Sequence, residues 1–83
     1  MPIKNKTIGE ELLHEIHVLK MYDLSSSQLG IKVHHDAEEK IVSATQRLFD
    51  KGLISQSDGG YLTSLGRDAA VHANDLLTIL TTA

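Results

Sequence analysis

Eighty-three residues suffice for one small domain around one core, and a chain this short buries only about 60–65% of its unfolded surface. Hydrophobic residues make up 41% and charged residues 23%, an ordinary globular balance, and the lack of cysteine excludes disulfides, a thiol nucleophile and cysteine-held zinc. Eight Lys and Arg against eleven Asp and Glu leave a net charge of −3 with no basic block, so charge predicts weak non-specific affinity for nucleic acid at best.

Three aromatic residues, Tyr22, Phe49 and Tyr61, are too few and too scattered to form a base-stacking platform. No apolar run is long enough to cross a membrane, and no basic start followed by an apolar stretch suggests a signal peptide. The expected compartment is the cytoplasm, and residues 1–83 are expected to form a single domain.

Residues 1–6 have no periodicity and are expected to be flexible. Thr7-Ile8-Gly9-Glu10 fits a capping box, in which the Thr7 hydroxyl accepts an orphan N–H and Glu10 reaches back. Leu12, Leu13, Ile16 and Leu19 follow at helical spacing, predicting an amphipathic helix over about 8–21, with Glu10, Glu11 and Glu15 early and Lys20 late along its dipole. Ser25-Ser26-Ser27 offers an N-cap for a short second helix through Leu29 that Gly30 closes. Ile31-Lys32-Val33 reads as a brief extended piece.

Asp36 is the expected cap of a third helix, with Glu38 and Glu39 in its first turn. At 100° per residue, Ala37, Ile41, Ala44, Thr45 and Leu48 share one face, while Asp36, Glu39, Lys40, Ser43, Gln46, Arg47 and Asp50 share the other. Gly52 fits the position just past the helix end. Leu53 to Thr63, with Ser57-Asp58-Gly59 at its centre, reads as a β-hairpin turning at Asp-Gly. Thr63 or Ser64 caps a last helix over 64–80. Its main apolar stripe is Leu65, Ala69, Ala73, Leu76 and Leu80, and Ala70, Leu77 and Ile79 leave a weaker second edge.

The expected fold is therefore mainly α with a small β-hairpin, in the order α-α-α-β-β-α. A helix ending in Leu48-Phe49-Asp50-Lys51-Gly52-Leu53-Ile54, a Gly-rich turn, and then Tyr61-Leu62-Thr63-Ser64-Leu65-Gly66-Arg67 resembles winged helix-turn-helix proteins. That resemblance implies that the third helix reads DNA and the hairpin serves as a wing. Gly30 to His35, Gly59 to Thr63 and the helix from His72 to Leu80 are together similar to a family of short, uncharacterised gammaproteobacterial proteins. This closer likeness spans nearly the whole chain and implies a bacterial, intracellular protein, but it brings no activity and no site residues.

On the winged-helix reading, Lys40, Ser43, Gln46 and Arg47 are the expected contacts to double-stranded DNA: Gln46 and Arg47 to bases, Lys40 to phosphate. Their helix face nevertheless sums to −1, and the hairpin tip from Ser55 to Gly60 holds Asp58 and no base. The alternative is a protein-interaction module that kept the fold without the basic surface. A homodimer is expected through Leu76, Leu77, Ile79 and Leu80, whose apolar surface exceeds what one core needs.

No cofactor, metal site or catalytic set is expected. His14 and His17 lie at i,i+3 rather than the i,i+4 of a zinc-binding helix, and His34, His35 and His72 suit surface or capping roles. Glu10-Glu11 and Glu38-Glu39 are adjacent in sequence and diverge around their helices. Ser25-Ser26-Ser27 lacks the glycine elbow of a nucleophile.

Overall fold

The computed structural model describes residues 9–26 and 28–82. Among these residues three helices and three short strands follow in the order α1 (Glu10–Leu19), β1 (Ile31–Lys32), α2 (Glu39–Asp50), β2 (Ile54–Gln56), β3 (Gly59–Leu62) and α3 (Ser64–Thr81). The strands form one antiparallel sheet in the order β1-β3-β2.

Gly9, in extended conformation, precedes α1 without a side-chain cap. The expected cap at Thr7 lies outside the described residues, as do residues 1–6. Lys20, Met21 and Tyr22 donate to Ile16, Val18 and Leu19, so the helix tightens into i→i−3 bonds and stops by residue 20.

The expected short helix over 25–29 does not form among the described residues. Asp23 accepts from both the backbone N–H and the hydroxyl of Ser25, and the Ser26 hydroxyl accepts from the Gln28 N–H. Short polar side chains here outcompete helical hydrogen bonds, as Ser and Asp do at turns. Gly30 closes no helix: a Cβ there would lie 2.5 Å from the Gly60 carbonyl oxygen. It lets the chain pass close to the hairpin and enter β1, where Ile31 pairs with Gly60 and Lys32 with Gly59.

The cap of α2 is Glu38, two residues later than expected, with no side-chain bond. Its end follows the sequence closely. Leu53 N–H donates to Leu48, Gly52 N–H donates to Phe49, and Gly52 has φ 81, a Schellman stop. The hairpin turns at Ser57-Asp58 rather than at Asp-Gly, since Gln56 pairs with Gly59. Gly59 (φ 133) and Gly60 (φ 73) take conformations closed to L side chains, and the register shifts between Ile54 and Gln56.

Thr63 caps α3 by accepting from Gly66 N–H, and its hydroxyl donates to the Gly52 carbonyl, tying helix start to hairpin base. Val18, Leu19, Tyr22, Ala44, Leu48, Ile54 and Ala70 form the core, flanked by Leu24, Ile31, Ile41, Leu53, Leu62 and Ala69.

The face that α3 buries differs from expectation. Gly66 and Ala70 are buried, whereas Leu65, Leu76 and Leu80 are exposed. The reason is a close approach: a Cβ on Gly66 would lie 1.8 Å from the Leu53 carbonyl oxygen. That contact turns the Gly66–Ala70 line inward and the larger leucines outward.

Candidate functional site

The outer face of α2 is built by the same periodicity that buries Ala44, Thr45 and Leu48. Lys40, Ser43 and Gln46 stand exposed on it, and Arg47 is half-buried at its α1 edge. Gln46 donates to Asp50, four residues on, and Lys40 lies 3.9 Å from Glu38. The four expected DNA contacts thus share one face, but in unequal states.

Arg47 is committed to α1. Its Nε donates to Glu15 Oε2 at 2.7 Å and its Nη2 to the Glu11 carbonyl at 3.1 Å. Lys51, one turn later, donates to the other Glu15 oxygen. The Glu15 side chain is only 7% exposed, against 26% for Arg47 and 47% for Lys51. Burial pushes the Glu15 carboxyl up, but the hydrogen bonds and charges of Lys51 and Arg47 outweigh it and hold the group below its ordinary value. The sequence carried a usable signal for this triad. The buried Val18 and Leu19 sit at i+3 and i+4 from Glu15, while Arg47 and Lys51 lie one turn apart on a single face.

Beside Arg47, an open depression of about 340 Å³ is lined by Glu10, Glu11 and His14 of α1 and by Glu39, Lys40 and Ser43 of α2. Its carboxylates outnumber its cations, as the residue count of the α2 face foretells. On the ribbon, Lys32 Nζ lies 3.0 Å from Asp58 Oδ2, and this contact holds the Asp58 carboxyl below its usual range. His34 and His35 are exposed and share a shallow recess with Lys32, Val42 and Asp58. Among the described residues no group of three or more His, Asp or Glu is arranged to hold a metal ion.

A second surface lies on α3. Leu76, Ile79 and Leu80 are 54%, 71% and 68% exposed. Leu77, the fourth expected dimer residue, turns the other way. With Thr78 and Thr81 it faces Leu13, Ile16 and His17 of α1 and the adjoining Lys20 across a groove of about 330 Å³. No helix among the described residues is long and apolar enough to cross a membrane.

Residues 6–81 match the sequence profile of a family of unknown function, DUF5669. The chain belongs to this family. No curated protein and no solved structure matches it. Membership agrees with the likeness to a small uncharacterised family drawn from the sequence. The function of this family is unknown.

Proposed function

We propose that the protein is a non-enzymatic winged-helix module of the bacterial cytoplasm that docks a protein partner on α2 and the adjoining ribbon. The layout supports the winged-helix part: α2 packs on α1, leads through Gly52 into the β2–β3 ribbon, and that ribbon pairs with β1.

The observation that carries the protein-docking part is the commitment of the cations on and around α2 and the ribbon. Lys32, Lys40, Arg47 and Lys51 each have a carboxylate within 3.9 Å, and Arg67 donates to the carbonyls of Leu24 and Ser26. DNA affinity falls with salt by a slope of about −0.9 per phosphate neutralised, and typical binders neutralise roughly six to ten. On α2 only Lys40, loosely paired and exposed, is free to do so without breaking a buried contact. Freeing Arg47 would leave the buried Glu15 carboxylate with Lys51 alone, at the cost of one charge-assisted hydrogen bond worth about 1.5–3 kcal/mol.

DNA binding is the second reading, favoured by the exposure of Ser43 and Gln46 at mid-helix beside a two-stranded ribbon. One experiment separates the two. A photo-crosslinking side chain placed at Gln46 and activated in cells is expected to give a discrete adduct with another protein. Adducts with nucleic acid alone would overturn the protein-docking reading in favour of Lys40, Ser43, Gln46 and Arg47 as DNA contacts.

A further inference from the structure

Among the described residues, every lysine and arginine but Lys20 is committed. Lys32, Lys40, Arg47 and Lys51 lie beside carboxylates and Arg67 donates to two carbonyls, whereas the exposed Lys20 side chain has neither kind of partner there. Lys20 instead borders the groove between α1 and α3. Leu13, Ile16, His17 and Lys20 recur at i, i+3, i+4 and i+7, so one side of α1 and its last turn supplies one wall, and Leu77, Thr78 and Thr81 supply the other. Leu13 is 54% exposed, and Thr81 donates its hydroxyl to the Leu77 carbonyl, so the groove offers chiefly apolar surface.

The charge along this groove runs against that of the chain. No Asp or Glu lines it, although the net charge is −3. The acids of both helices point to other surfaces. Glu10 and Glu11 border the depression beside Arg47, and Glu15 holds Arg47 and Lys51. A step of about 100° per residue places Asp68 and Asp75 on the far side of α3 from Leu77 and Thr81.

We propose that this groove docks an acidic amphipathic helix of a partner protein. Apolar residues of that helix, spaced at i, i+3 or i+4 and i+7, seat on Leu13, Ile16 and Leu77, and a flanking Asp or Glu reaches Lys20. The apolar contacts supply most of the affinity, and the carboxylate fixes orientation and register. Residues 1–8 of the chain itself hold Lys4 and Lys6 and no acid, so they would bring like charge to Lys20. A small carboxylated amphiphile fits less well, because ligand sites of that kind bury most of their ligand and this groove is open along its length. Lys20 and Leu77 take no part in the α2 face, so this docking goes beyond the reading of α2 and is tested apart from it.

The probe is a display library of amphipathic helices as long as α3, with fixed leucines at helical spacing and randomised flanks, selected on the purified chain. Selected helices should carry an excess of Asp and Glu, and synthetic copies should bind with Kd of roughly 1–100 μM by fluorescence anisotropy. Lys20→Glu should weaken them at least about tenfold while circular dichroism stays unchanged, because it replaces attraction by like charge at an exposed position. Lys32→Glu makes the same change of net charge on the ribbon and should leave binding intact. Leu77→Asp, outside the core, should abolish it. Selected helices without an excess of acid, binding that survives Lys20→Glu or falls equally with Lys32→Glu, or a selection that yields no binder would overturn the proposal. Self-association of the chain that is lost in Leu77→Asp would also overturn it, by assigning the groove to a second copy.

Discussion

Replacing Glu15 with Gln removes the charge around which Arg47 and Lys51 are organised while keeping the shape. Each charge-assisted hydrogen bond is worth about 1.5–3 kcal/mol, and two such bonds end on this carboxylate. The full sum is not lost. The Gln oxygen still accepts one neutral bond, Lys51 is about half in water and rehydrates, and Arg47 keeps the Glu11 carbonyl. The net cost at pH 7 is therefore about 2 kcal/mol, a fall in Tm of roughly 8–16 °C for a chain of this size.

The pH dependence follows from the lowered carboxyl pKa. The folded state holds Glu15 ionised more readily than the unfolded chain does, so this stability is present above the unfolded value near 4.5 and is lost as pH falls through the folded value. Thermal unfolding of both chains between pH 7 and pH 2.5 should thus show curves that converge in acid. A Tm gap that is equally wide at both ends would refute the electrostatic account. A gap absent at pH 7 would mean that the triad contributes nothing net.

Two further substitutions probe the packing that sets the faces of the molecule. Gly66→Ala drives a Cβ into the Leu53 carbonyl and should cost about 3 kcal/mol or more in urea denaturation, at or above the upper end of ordinary overpacking; a cost below about 1 kcal/mol would show that this contact does not set the rotation of α3. The Tyr22 hydroxyl is buried with no hydrogen-bond partner among the described residues, and burial pushes its pKa up to about 12. Tyr22→Phe should therefore be neutral or stabilising by up to about 1 kcal/mol, and a loss larger than that would reveal a bridging water on the hydroxyl.

Where the sequence foretold structure, one local rule decided the outcome. The buried face of α2, the stop at Gly52 and the cap at Thr63 each follow from residues within a turn or two of one another. Where it did not, the deciding contact joined distant segments. Gly66 meets Leu53 and rotates α3, and Gly30 meets Gly60, which joins the extended piece expected at residues 31–33 to the hairpin as a third strand. Arg47 meets Glu15 from 32 residues away. The short helix over 25–29 failed for a local reason, because Asp23 and Ser26 satisfy the backbone in a turn. The site was legible in the same proportion: composition gave the acidic balance of the α2 face, and only the fold located the partner of each cation.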